Sequence, residues 1–160
     1  MEKFIGSWKF TTHDPDASAL DNYMKAWGVG FLYRQMMNRA TPIIRFKESS
    51  KESGKYVLIT KSKNIIRKRF VIGPFALGSE EAVLESRADG NNFNSKFYLD
   101  DEGKLVHVAT HDKDKIPVST STREVDDQGR LKVTAECNGV TVVRLYEKME
   151  DEDEEEDGKL

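Results

Sequence analysis

From Ile43 onward, apolar and polar positions alternate with a period of two, in short segments parted by Gly, Asn and Asp. Strands with one buried and one wet face produce that pattern. The segments are 43–48, 55–61, 64–71, 81–87, 93–99, 104–110, 117–125, 130–137 and 140–148, and residues 4–12 make a tenth. Turn signals at Glu52-Ser53-Gly54, Asp89-Gly90, Glu102-Gly103, Gln128-Gly129 and Asn138-Gly139 predict an antiparallel meander with short connections. One stretch repeats differently. Leu20, Tyr23, Met24 and Trp27 recur at i, i+3, i+4 and i+7 behind Asp16 and Ser18 as N-cap candidates, which predicts a helix over 19–27. Gly28 and Gly30 break it, and Val29, Leu32, Tyr33 and Met36 resume the spacing until Thr41-Pro42 stops it. Many even strands with one helix-turn-helix unit describe a mostly β fold, either an up-and-down barrel or a sandwich.

The last hairpin fixes its own register. Asn138-Gly139 is a strong type I′ signal, and counting outward pairs Cys137 with Val140, Ala135 with Val142, Val133 with Arg144 and Leu131 with Tyr146. Those side chains share one face. The face is otherwise apolar, so it should point inward and carry Arg144 and Tyr146 with it. If Asp126 to Arg130 closes as a three-residue loop with Gly129 left-handed, Arg123 meets Val133 and two guanidiniums share one interior. A four-residue loop would turn Arg123 outward. Buried arginines cost several kcal/mol each unless compensated. A bound carboxylate would accept charge-assisted hydrogen bonds from both, and another from the Tyr146 hydroxyl. Interior waters or protein acids, or a position near an open barrel end, would serve as well.

Composition narrows the field without choosing. At 160 residues the chain fits one domain. No window approaches a membrane span, and the opening MEKFIGSWKF lacks the apolar run of a secretory signal, so a cytosolic location is expected. The single cysteine, Cys137, excludes an internal disulfide framework and a thiolate-rich zinc site. The net charge of −3 divides unevenly: Glu150 to Asp157 are eight consecutive acids, leaving 20 acidic and 24 basic side chains in residues 1–149. A folded, mildly basic domain over 1–149 and a disordered acidic tail over 150–160 are therefore expected.

Other signals have plainer readings. His107 and His111 share a strand but lie too far apart to chelate one ion directly, so no metal or cofactor is expected. Without a nucleophile elbow or paired acids the chain is read as non-catalytic. Gly28 and Gly30 form a helix break and not a nucleotide loop. The basic run Lys61, Lys63, Arg67, Lys68 and Arg69 reads as solvated surface, and no nucleic-acid partner is expected.

Phe4-x-Gly6-x-Trp8, Asn22-Tyr23-Met24-Lys25 with Gly28-Val29-Gly30-Phe31, Pro42-Ile43-Ile44, Leu105-Val106-His107-Val108, and Gly139-Val140-Thr141 with Arg144-x-Tyr146-Glu147 occur in order along the chain. Together they resemble the intracellular fatty-acid-binding proteins. The resemblance implies a ten-stranded antiparallel up-and-down β-barrel of the lipocalin-like, calycin type, capped by a helix-turn-helix lid. It implies a cavity for a long-chain fatty acid, with the carboxylate on Arg123, Arg144 and Tyr146. Matching wall positions are Leu20, Met24, Met37, Pro42, Ala88, Asp89, Val133 and Ala135. By the same resemblance the protein is a monomeric carrier of the cytoplasm, and also of the nucleus, whose lid touches anionic membranes through Lys25, Arg34 and Arg39. Retinoic acid is an alternative ligand for the pocket, and a protein-interaction module acting through the acidic tail is a different class of reading. The middle, 61–85, matches poorly, the connections at 10–20, 48–54 and 113–118 are longer than usual, and the tail lies outside the pattern.

Overall fold

A computed structural model describes residues 1–14, 16–62, 69–87, 90–111 and 118–151. A 3-10 turn, Glu2–Phe4, leads into β1 (Gly6–Asp14), followed by helices α1 (Ser18–Ala26) and α2 (Phe31–Arg39). The strands β2 (Ile43–Glu48), β3 (Tyr56–Lys61), β4 (Arg69–Phe75), β5 (Val83–Ser86) and β6 (Asn92–Leu99) come next. The chain finishes with β7 (Leu105–His111), β8 (Ser119–Val125), β9 (Leu131–Cys137) and β10 (Val140–Met149). Neighbours pair antiparallel in the order β4-β3-β2-β1-β10-β9-β8-β7-β6-β5. The sheet curls into a nearly closed barrel, so the barrel reading holds and the sandwich does not.

Alternation along each strand divides a buried face from an outer one. Phe4, Trp8, Phe46, Leu58, Phe97, Leu105 and Leu131 fill one end of the interior. Leu20, Tyr23, Met24 and Val29 of the lid pack on Ala135, Cys137 and Val142 at the other. Asp16 caps the lid from just outside α1, accepting the Ser18 amide at 2.9 Å. The break after α1 is a tight reversal in which the Val29 amide bonds the Met24 carbonyl at 2.9 Å.

Of the segment predicted at 64–71, 64–68 lie outside the described residues and 69–71 are strand, which runs on to Phe75 as β4. Gly73-Pro74 sits inside β4. Among the described residues β4 bonds only to β3, so its other edge needs no amide from Pro74. Gly73 has φ +122°, and a Cβ there would lie 2.7 Å from the Tyr56 carbonyl oxygen, so the bulge opposite Tyr56 and Leu58 requires glycine. No ladder joins β4 to β5 among the described residues. Side chains close that seam instead, with the Phe75 and Phe97 rings stacked at 3.9 Å and Phe97 stacked on His107 at 4.2 Å.

Candidate ligand cavity

The last three strands deliver two of the cavity's cations, Arg123 and Arg144. Asn138 (φ 51°) and Gly139 (φ 80°) are both left-handed, as a type I′ turn requires, and Val133 faces Arg144 while Leu131 faces Tyr146. Between β8 and β9 the three-residue closure is the one adopted. Gly129 is left-handed, the Asp126 amide bonds the Arg130 carbonyl at 2.9 Å, and the Asp126 carboxylate accepts the Gln128 and Arg130 amides at 3.0 and 2.9 Å. Arg123 therefore meets Val133, and Arg123, Val133 and Arg144 lie abreast across three strands.

They open onto a cavity of about 260 Å³ between the lid and the barrel wall. Arg123, Arg144 and Tyr146 all line it, as do the expected wall residues Leu20, Met24, Met37, Pro42, Val133 and Ala135. Ala88 and Asp89 lie outside the described residues. The lid contributes Tyr23, Trp27 and Tyr33 as well, and β2 to β4 contribute Ile44, Leu58, Thr60 and Ile72. Apolar walls with a few convergent cations suit an amphiphile with an anionic head.

Arg123 is 8% exposed, and its Nε and Nη1 are buried with no hydrogen-bond partner among the described residues. The same holds for Arg144 Nε. Rings flank both cations: Arg123 lies 5.7 Å from Phe46, and Arg144 lies 4.5 Å from Phe10 and 5.7 Å from Tyr146. Burial lowers the pKa of the Arg123 guanidinium, with Tyr146, Glu85 and Tyr23 pulling the other way. An anion reaching these nitrogens would relieve a desolvated cation and supply the hydrogen bonds that the interior leaves unmade.

Sequence reasoning missed the acid in this cavity. Glu85 of β5 lines it, accepts the Ser95 hydroxyl at 2.7 Å and lies 3.6 Å from His107 Nε2, which is itself 2.9 Å from the Ser95 hydroxyl. Burial alone would raise the Glu85 carboxyl, but the bonds from His107 and Ser95 and the charges of His107 and Arg123 hold it below its ordinary range. For His107 burial prevails, and its pKa is lowered against the pull of Glu85. A protein acid thus does share the interior with the arginines. The alternation Val83, Glu85, Arg87 was a signal for an inward face, obscured because Leu84 between them is apolar yet 63% exposed. Arg87 is also buried: its Nη1 bonds the Trp27 carbonyl at 3.1 Å, and its guanidinium lies 4.7 Å from both the Trp27 and Phe93 rings. It joins the barrel to the end of α1. Tyr23 joins α1 to β8 through a hydrogen bond with Ser119, and burial pushes its hydroxyl up to about 12.

The lid cations need one correction. Lys25 and Arg39 are exposed, but Arg34 is turned inward, with Nε 3.2 Å from Asp21 and Nη1 donating to the Val29 carbonyl at 2.8 Å. It holds α2 on α1 and is not available to a surface. Of the histidines, His111 has Nε2 3.4 Å from Asn91 Oδ1, and no group of three metal-ligating side chains gathers among the described residues.

Comparison with known proteins agrees with this architecture. Residues 5–149 match the model of the lipocalin / cytosolic fatty-acid binding protein family. A fatty acid-binding protein of Tyrophagus putrescentiae is 35% identical over 150 residues, spanning 92% of this chain and 99% of that protein. A solved fatty-acid-binding protein of Echinococcus granulosus superposes with a TM-score of 0.77 at 28% identity, covering 93% of this chain and 99% of that one. A Schistosoma mansoni fatty acid binding protein in complex with arachidonic acid superposes with a TM-score of 0.74 at 27% identity, covering 93% and 98%. With its barrel, lid and interior arginines in place, this chain belongs to the lipocalin / cytosolic fatty-acid binding protein family.

Proposed function

We propose that the protein is a non-catalytic carrier of a long-chain fatty acid, with residues 1–149 as the carrier unit and the ligand carboxylate held by Arg123, Arg144 and Tyr146. The observation that carries this reading is the Arg123 guanidinium, buried beside an apolar cavity with Nε and Nη1 unbonded among the described residues. The arachidonic acid complex of the Schistosoma mansoni relative supports the ligand class. Affinity comes mostly from the buried chain, at about 0.8 kcal/mol per CH₂ before the costs of binding. The head-group residues select acids over neutral lipids and orient the chain toward Met24 and Met37, whose thioethers adapt to a flexible tail.

The family's description supports a cytosolic location. We also assign the lid a transient contact with anionic membranes: Phe31 and Leu32 are 68% and 65% exposed at the start of α2, and Lys25 is exposed on α1. Apolar side chains beside cations suit a headgroup boundary.

The test compares a long-chain acid with the alcohol of equal length. Arg144→Gln and Arg123→Gln should each weaken the acid about tenfold or more, the loss of a hydrogen bond to a charged group, and leave the alcohol within about twofold. Equal losses for both ligands overturn the head-group role. Solvent extraction of the freshly purified protein, with mass spectrometry, identifies the cargo directly; retinoic acid in the extract would replace the fatty acid in this reading.

A further inference from the structure

The outer face of β1 to β4 is basic, and part of it is covered. Register places Ser7, Arg45, Ile59 and Val71 in one row across the four strands, and Lys9, Ile43, Lys61 and Arg69 in the next. Their neighbours Trp8, Ile44, Phe46, Leu58 and Ile72 face the interior, so these rows face out. With Lys47 the face carries five cations, and Lys9 among them is paired in register with Glu147. An outer barrel face ordinarily meets water, as Asn94, Lys96 and Tyr98 do on β6. Here Ile59 is 0% exposed and Ser7 is 4% exposed.

The chain leaving β10 runs onto this face. Asp151 accepts the Ser7 hydroxyl at 2.6 Å and lies 3.6 Å from Arg45 Nη2. It has thus crossed from β10 past β1 to β2. Six further residues follow to the end of the acidic run at Asp157, a reach of about 20 Å if extended, against roughly 14 Å for three strand spacings. The run is long enough to traverse every cation of the face, and its charge is opposite to theirs. At such short range a covalently attached anion has a high effective concentration and outcompetes separate ones.

We infer that the acidic segment 150–157 docks in cis on the basic outer face of β1–β4 and serves as an electrostatic cover. It withholds that face from anionic partners and leaves the lid, on another part of the molecule, as the surface presented to membranes. The inference does not depend on which lipid the cavity takes.

Zero-length carbodiimide coupling, which joins a carboxylate to a lysine amine only when they touch, tests this on the full chain. In an equimolar mixture of ¹⁴N and ¹⁵N protein, tail carboxylates should couple to Lys9, Lys47 and Lys61 of the same molecule at least about fivefold more than to Lys25 on the lid or Lys96 on β6. Arg45→Gln combined with Arg69→Gln, checked for fold by circular dichroism, should reduce that preference, as should high salt. Even coupling to all five lysines overturns the inference. So do isotopically mixed products in the majority, which would place a second copy on the face, and so does a preference unmoved by the arginine variant.

Discussion

The two sides of the barrel are held by different forces. On the β8–β10 side, unbroken antiparallel ladders of seven residue pairs each join β8 to β9 and β9 to β10. On the β4–β5 side no ladder crosses the seam among the described residues, and the closure is the ring stack of Phe75, Phe97 and His107. Both sides point charge into the cavity, but the first does so by backbone register and the second by side-chain packing. A cation such as Arg123 or Arg144 is therefore placed by elements that stay paired whatever occupies the cavity. Glu85 lies on, and Arg87 just beyond, a short strand that pairs on one edge only among the described residues. Ligand passage and local opening should be sought on the second side.

The largest expected effect comes from removing the ring that closes the seam. Phe97 is 1% exposed and touches both halves of the stack, so Phe97→Ala should cost about 3–5 kcal/mol, the range for truncating a buried aromatic. Amide exchange should accelerate in β4 and β5 before β8 to β10, because the ladders on the far side are untouched. Urea unfolding with hydrogen exchange measures both. Uniform acceleration over all ten strands would mean that the seam is not a separate unit of stability.

A smaller effect separates the turn from the ladder as the source of register. Gly139→Ala forces a Cβ into the left-handed region, which should cost about 1–2 kcal/mol in urea unfolding. The seven pairs between β9 and β10 should nevertheless keep Val133 opposite Arg144, so the preference for acid over alcohol survives. A variant that loses this preference would show that the turn, more than the ladder, sets the inward face.

That contrast also explains what could be read from the residues alone. Asn138-Gly139 is a turn whose chemistry dictates its geometry, and counting from it placed Arg144 and Tyr146 on the inner face, whereas Arg123 followed only on the three-residue closure of Asp126 to Arg130, the one adopted. The helix pair was legible for the same reason, since one face of each helix is apolar and glycine separates them. Where register depends on packing, counting failed. β4 continues past the predicted end at 71 through Gly73-Pro74, tolerated because its outer edge bonds to no other strand among the described residues. Glu85 was hidden because an exposed Leu84 beside an inward carboxylate inverts the usual pattern. Arg34 shows a third limit: an arginine on a lid helix reads as surface until Asp21 and the Val29 carbonyl are seen to hold it.

The smallest expected effect tests the packed side by pH. His107 is buried between Ser95, Glu85 and the Phe97 ring, with the Arg123 charge acting on it, and burial lowers its pKa below the ordinary value of about 6.5. The unfolded chain then binds a proton that the folded chain refuses. Stability should be full above the unfolded value and fall as pH drops through about 6.5 toward the lowered folded value, the sign linkage requires when the unfolded state holds more protons. His13, whose pKa burial also lowers, contributes a slope of the same sign, so the measurement is a difference. Urea unfolding at a series of pH values between about 7.5 and 5.5 should give wild type a steeper decline than His107→Gln, which keeps a hydrogen-bonding side chain but cannot titrate. Should the variant decline as steeply, His107 takes up its proton beside Glu85 in the folded protein as readily as in the unfolded chain. The β5 carboxylate would then be neutralised from the β7 side, and Arg123 would lack the internal counter-charge that Glu85 otherwise supplies.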